Sequence, residues 1–231
     1  MKRSLVVLVA TLAVLLVGGA SAQDERVNLL ADPGFEKLFG LNSGFASPGA
    51  AWGYTQVESA GCVEWTWSGG TMGITNPSTG FYVKGVPEGH LVAYVWGGEV
   101  SQVVDVVLEA NTRYELSVWA GYREQSGVNS FGGGLLQLWA GDTLLDEKAL
   151  TVPERGYFAL TDLTYDTTGF GISDLPAGNL KVVLVSHGIA GGVACTDFDN
   201  VKLLATPVPE PATMALLALG GLAMLRRRKA A

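Results

Sequence analysis

Few residues in this sequence have the chemistry for bond making or breaking, and their spacing argues against the common catalytic arrangements. Only two histidines occur, His90 and His187. Ser186 and His187 are adjacent, but neighbours on a strand point to opposite faces and cannot serve one another as nucleophile and base. No Gly-x-Ser-x-Gly elbow or His-Glu-x-x-His run is present, and the glycines at 132–134 lack the lysine of a phosphate loop. The carboxylate pairs Asp146-Glu147 and Asp197-Asp199 suit glycoside cleavage in principle. Turn and cation-binding roles are commoner for such pairs, so the expectation is a non-catalytic chain, with a glycan-active enzyme as the less favoured alternative.

Binding residues are better represented. On a strand covering 113–120, Tyr114, Leu116, Val118 and Ala120 take one face and Arg113, Glu115, Ser117 and Trp119 the other. By the same alternation Trp139 shares a face with Leu135 and Gln137, opposite Leu136 and Leu138. Flat aromatic rings stack on sugar rings while polar neighbours bond hydroxyls. Trp119 and Trp139, with Gln137, Arg113 and Glu115, therefore form the candidate ligand-binding set. Burial of these rings under covering loops is the competing reading. Trp65 and Trp67 share a face with Val63 and read as core.

These residues lie between two ends of different composition. The chain opens with Met1, Lys2 and Arg3, continues with an apolar block from Leu5 to Val17, and closes this region with Ala20-Ser21-Ala22. A basic start, an apolar block too short to span a bilayer and a small-residue exit predict a signal peptide over 1–22, with the mature chain beginning near Gln23. At the other end Pro207, Pro209 and Pro211 make an extended linker, followed by an apolar run from Ala212 to Leu225 and the basic cluster Arg226 to Lys229. The run is shorter than the roughly 20 residues of a typical membrane-spanning helix, so spanning requires thinning or snorkelling. All 22 acidic residues lie between positions 23 and 211, where they face nine of the 15 basic ones, a local net charge of -13. Such a surface repels phosphate backbones, which excludes nucleic acid as a partner, and suits divalent cations or a hydrated acidic matrix. Export to an oxidising compartment favours a bridge between Cys62 and Cys195, with two buried thiols as the alternative. Closing so long a loop contributes about 4 to 5 kcal/mol in the chain-entropy account.

The sequence from Pro209-Glu210-Pro211 through the apolar segment to the terminal basic cluster resembles the PEP-CTERM sorting signal of bacteria with polymeric matrices. The resemblance implies recognition by an exosortase-type membrane protease, removal of the tail after a membrane-inserted stage, and delivery to the cell envelope, outer surface or extracellular matrix. The chain then divides into the signal peptide at 1–22, a domain at 23–205 and a sorting region at 206–231 that contains a short transmembrane helix.

Between the ends the sequence reads as short strands separated by Gly, Pro, Asn and Asp clusters, which predicts an all-β, two-sheet sandwich. The expected strands are NLLAD, YTQVES, CVEWTW, HLVAYVW, VSQVVDVVL, RYELSVWA, GLLQLWA, YFALTDLTY, LKVVLVS and FDNVKLLA. NLLADPGFE, SQVVDVVLEANTRYELSVWAGYR and DFDNVKLLA together resemble galactose-binding-like jelly rolls, the fold of many carbohydrate-binding modules. That resemblance implies a structural calcium ion joining the two ends of the domain, with Glu36 and Asp199 as side-chain ligands and Asp32 and Asp197 as weaker candidates. Turn capping by the aspartates is the competing reading. The functional expectation is an exported, non-catalytic surface or matrix protein that binds matrix polysaccharide, or else an acidic structural component without a discrete ligand.

Overall fold

The computed structural model describes residues 26–37, 53–56, 64–77, 80–124, 128, 130–188 and 194–209, with the backbone alone for 53–56. The predicted signal peptide, Cys62, Glu210, Pro211 and the apolar run after them lie outside the described residues. Among the described residues no helix is long and apolar enough to cross a membrane.

Two antiparallel sheets face one another. The larger takes, in spatial order, β1 (Gly53–Gln56), β3 (Thr71–Asn76), β4 (Val92–Trp96), β12 (Ala194–Pro207), β6 (Thr112–Tyr122) and β10 (Tyr157–Asp166). A two-residue strand, β7 (Ser130–Phe131), pairs in parallel with the start of β12. The smaller sheet runs β2 (Thr66–Ser68), β5 (Gly98–Val107), β11 (Asn179–Ser186), β8 (Gly134–Ala140) and β9 (Thr143–Ala149). The chain crosses repeatedly between the sheets, giving the expected jelly-roll sandwich. One 3-10 turn, Ile172–Asp174, is the only helical element among the described residues.

Strand alternation explains which side chains meet. Tyr114, Leu116, Val118 and Ala120 of β6 are buried, as are Leu136, Leu138 and Ala140 of β8 and Leu180, Val182 and Leu184 of β11. They join Phe198, Val201 and Leu203 of β12 in one core. Each fully buried Leu or Val contributes about 1.5–3 kcal/mol. Trp65 belongs to this core as expected, its ring 4.9 Å from that of Phe35 and its indole N–H donating to the Asp32 carbonyl at 3.0 Å. Trp67 packs against the core from its margin.

The first expected strand is not one. Leu29 N–H makes one backbone bond to the Leu203 carbonyl at 2.9 Å, and the Asn28 side chain takes over the rest of the contact with β12, accepting from Leu203 N–H at 2.9 Å and donating to the Val201 carbonyl at 2.8 Å. Asp32 and Phe35 then take positive φ, 45° and 59°, which turns the backbone out of any ladder. Three strands go unread in the sequence: β3, which is buried through most of its length with a glycine inside it, β9, an edge strand with little burial, and the two-residue β7. Cys195 is a free, buried thiol that donates to Asp197 Oδ1 at 3.4 Å. Burial, then the neighbouring Asp197 carboxylate, pushes that thiol well above its ordinary pKa. The expected partner, Cys62, is outside the described residues.

Candidate functional site

Side chains directly opposite on paired strands share a face. On the larger sheet the register sets Asp197 opposite both Tyr94 and Gly121, Asp199 opposite Trp119, Phe158 opposite Gly121, and Leu160 opposite Trp119. All of these belong to the face turned away from the core. Gly121 is required there, because a Cβ at that position would stand 2.6 Å from the Phe158 ring and 2.9 Å from the Tyr82 hydroxyl.

The segment between β3 and β4 crosses this face and closes a cleft of about 410 Å³. Val86 and Pro87 form one wall, Trp119, Tyr157 and Phe158 supply aromatic surface, and Lys84 and Asn200 bring polar groups to it. The Phe158 ring packs against Tyr82 at a tilt of 40° with centroids 4.3 Å apart, and the Lys84 ammonium lies 5.9 Å from the centre of the Tyr157 ring. An apolar concavity of this size with a few polar groups suits a small organic molecule.

Beneath the cleft lies a buried polar cluster. Arg123 donates from Nε to Asp197 Oδ2 at 2.6 Å and from Nη2 to Oδ1 at 2.7 Å, a two-pronged ion pair with both side chains out of contact with solvent. Tyr82 donates its hydroxyl to the same Oδ2. The guanidinium carbon also lies 5.4 Å from the Phe81 ring centre and 5.5 Å from that of Tyr94. Burial opposes the charge on Arg123, but Asp197 more than offsets it and holds the guanidinium well above its usual pKa. For Tyr82, burial and then the Asp197 carboxylate push the phenol well above its ordinary value, which keeps it a hydrogen-bond donor. The cluster therefore fixes Tyr82, and through it the Phe158 ring on the floor of the cleft. Asp197, expected as a weaker metal ligand, is spent on Arg123 and Tyr82.

A second acidic group holds the cleft wall from behind. Asp199 accepts from Glu88 N–H at 2.9 Å and Asn200 N–H at 2.7 Å, while Glu36 Oε1 accepts from His90 N–H at 2.6 Å and Leu91 N–H at 2.8 Å. Gly89, at φ 53°, passes so close to Glu36 that a Cβ would stand 2.1 Å from Oε1. Asp199 is fully buried; that burial, with further repulsion from Glu88 and Glu36, pushes its carboxyl up to about 8. Glu36 is raised for the same leading reason, burial. Asp32 follows the turn-capping reading instead, accepting from the N–H groups of Glu36 at 2.7 Å and Lys37 at 3.1 Å.

The expected sugar platform does not assemble as one face. Trp119 is half-buried and borders the cleft. Trp139 stands on the outside of the smaller sheet, where its indole donates to Gln137 at 3.1 Å and the Lys181 ammonium lies 4.8 Å from its ring centre. Gln137 also donates to Glu147 at 2.9 Å. Arg113 pairs with Asp166 at 3.4 Å and Glu115 pairs with Arg26, so neither is directed at the cleft. The residues that sequence reasoning missed are Tyr82, Glu88, Arg123, Tyr157 and Phe158. Their one visible signal was a set of aromatic and charged side chains on segments flanking the glycine-rich turns.

Residues 27–204 match the family described as HpiC1-like, HpiC1 cyclase, and residues 207–229 match the PEP-CTERM protein-sorting motif. The Stig cyclase Fisc from Fischerella sp. TAU, in complex with (3Z)-3-(1-methyl-2-pyrrolidinylidene)-3H-indole, is similar at TM-score 0.63 and 24% identity, over 78% of this chain and 97% of that one. A cyclase from Fischerella sp. TAU reaches TM-score 0.61 at 25% identity, over 78% and 96% of the two chains. A complex of a cyclase from the same source with 4-(1H-indol-3-yl)butan-2-one gives TM-score 0.56 at 26% identity, over 78% and 97%. No curated protein sequence matches.

Proposed function

Because the chain belongs to the HpiC1-like cyclase family, we propose that it is an exported cyclase-type enzyme that takes a flat, unsaturated, largely apolar molecule into the Trp119 cleft and promotes its ring closure. Family membership corrects the expectation of a non-catalytic chain. That expectation rests on missing nucleophile, histidine-base and hydrolase arrangements, none of which a cyclisation requires. Ring closure is an isomerisation: a new bond forms at the expense of a π bond, and any proton added at one atom is returned from another. Such a reaction asks for a shaped apolar surface that presses the reacting ends together and rings that tolerate developing positive charge. Trp119, Tyr157 and Phe158 offer that surface, and Tyr157 and Lys84 are the proton-bearing groups beside it.

The observation that carries the reading is the aromatic cleft on the face where Asp197 and Arg123 fix Tyr82. The ketone found in a related cyclase complex, 4-(1H-indol-3-yl)butan-2-one, is the natural probe. Calorimetric titration of the purified domain with it is expected to show saturable binding that falls at least tenfold in Trp119→Ala, with the melting temperature nearly unchanged because Trp119 sits outside the core. A glucan oligosaccharide such as cellohexaose serves as the second arm. The Trp119 ring beside Asn200 and Lys84 has the stacking and hydrogen-bonding groups a sugar uses, and binding of the oligosaccharide alone would return the site to matrix polysaccharide.

Calcium is the proposed structural ion, held by Glu36 and Asp199. Their fit rests on chemistry: the buried Asp199 and the half-buried Glu36 beside Glu88, with the Asp199 proton retained to about 8, describe a place where a divalent cation would relieve repulsion. Among the described residues no three His, Cys, Asp or Glu side chains are gathered as a metal site. Backbone carbonyls would therefore supply the remaining oxygens. Bound calcium would neutralise the pair that clasps residues 88–91 and so fix the adjoining cleft wall.

The sorting motif marks the chain as exported, associated with the cell envelope and processed by an exosortase-type system. In the proposed route the signal peptide is lost, the apolar tail enters the membrane, and cleavage falls near Pro209 to Ala212. Intact mass of the protein recovered from its native cell surface is expected to lack residues 1–22 and everything after the cleavage point. A surface form that keeps Arg226 to Lys229 would contradict the cleavage.

A further inference from the structure

We infer that the loop carrying Phe170 and Ile172 is a lipid-contact surface that seats one end of the sandwich on the bilayer while the sorting tail is still membrane-inserted. This rests on the proposed insertion of that tail. Phe170 and Ile172 are 41% and 85% exposed, with the Ile172–Asp174 turn presenting the latter to solvent. Isolated exposed apolar residues are common on protein surfaces; what singles these out is where the chain leaves the domain.

Strand β12 ends at Pro207, and Val208 N–H then donates to the Asn111 carbonyl at 2.6 Å. Asn111 is in turn bonded to the loop: its N–H donates to the Thr167 carbonyl at 3.2 Å, and its side-chain oxygen accepts from Gly169 N–H at 3.1 Å. Phe170 N–H closes the loop onto the Thr167 carbonyl at 3.1 Å. The exit point and the apolar loop are thus joined through one asparagine. From Val208 to Ala212, where the apolar run begins, four residue steps reach at most about 14 Å. A domain held by so short a tether has its exit end at the headgroup region. Two apolar side chains are too few to bind a bilayer from solution, but the tether makes their insertion intramolecular, where weak contacts suffice.

The strand ends and loops at this pole carry Glu109, Asp142, Asp166 and Asp174, with Arg113 paired to Asp166. Those carboxylates disfavour an anionic surface, so the contact is apolar insertion into zwitterionic lipid rather than charge attraction. Orientation follows. The cleft is bordered by Gly156, Tyr157 and Phe158 at the start of β10, whereas the loop follows Asp166 at its end, roughly 30 Å away along the strand. Seating the loop on lipid leaves the cleft facing away from the bilayer.

The test uses the chain from Gln23 to Ala231 reconstituted in phosphatidylcholine vesicles that contain a diazirine-bearing phosphatidylcholine, with photo-adducts mapped by mass spectrometry. Adducts are expected on the tail and on the peptide containing 168–175, the latter at least tenfold above the peptide containing Val152, which is 73% exposed and lies at the opposite end. The Phe170→Ser/Ile172→Ser double variant should keep the tail adducts and lose the loop adducts. Tail adducts with the loop at the Val152 level would overturn the seating and leave tail insertion standing. Adducts on neither would overturn both.

Discussion

Replacing Arg123 with methionine should destabilise the domain by about 3–5 kcal/mol, the cost of leaving a buried charge without its partner. Arg123 and Asp197 are 1% and 0% exposed, so water cannot take over the role of the lost guanidinium. The segment between β3 and β4 brings Tyr82 onto the same carboxylate, and removal of the arginine leaves that hydroxyl and the Cys195 thiol as the remaining side-chain donors. Thermal or urea melts of the purified domain would measure the loss. The double variant Arg123→Met/Asp197→Leu removes both charges and should recover much of the stability while still disturbing Tyr82. A single Arg123→Met variant as stable as the parent would show that the pair does not organise this face.

The second large effect concerns pH and calcium together. In the unfolded chain Asp199 titrates near its ordinary value of 3.8, whereas in the folded domain burial first, and Glu88 and Glu36 next, push it up to about 8. Between those values the unfolded state releases a proton that the folded state keeps. Calcium-free stability should therefore be highest below pH 4 as far as this group is concerned. It should fall as pH rises, by up to about 1.4 kcal/mol per unit, and level off above pH 8. Calcium favours the ionised carboxylate in the folded state, so adding it should raise stability most at pH 8 and least at pH 5. Urea melts at those two pH values, with chelator or with millimolar calcium, would read both slopes. Asp199→Asn should weaken the pH dependence, leaving the part that Glu36 contributes, and remove the calcium response. A parent domain whose melting ignores calcium at pH 8 would exclude the ion.

Much of the fold is legible in the sequence because alternation is a local property. GLLQLWA coincides with β8, and the faces assigned to Tyr114, Leu116 and Val118 against Ser117 and Trp119 are those the sandwich uses. What alternation misses has physical reasons. TLLDEKA forms an edge strand whose burial pattern lacks the period of two, and NLLAD resembles a strand but meets β12 through one backbone bond, Leu29 N–H to the Leu203 carbonyl, and the Asn28 side chain rather than through a ladder. The site is less legible still. Arg123 follows the last residue of β6 in a position that reads as solvent, and its partner Asp197 is 74 residues away. Nothing in either segment signals the pairing; only the register of β12 against β6 brings them together. Trp119 lies on the polar face that alternation assigns to it, while Trp139 stands on a strand of the other sheet, a separation that alternation alone does not reveal. The proposed cyclase chemistry leaves no motif to read, because the aromatic surface it would use is spread over β6, β10, β12 and the segment before β4.

Adding 4-(1H-indol-3-yl)butan-2-one to isotopically labelled domain and following amide and indole resonances tests the cleft most directly. Saturable shifts are expected at 84–87, Trp119, Tyr157, Phe158 and Asn200, with the Trp139 indole unmoved and the pattern lost in Trp119→Ala. Shifts centred on Trp139, or none at millimolar ketone in a folded, calcium-supplemented domain, would contradict the assignment of this cleft as the substrate site.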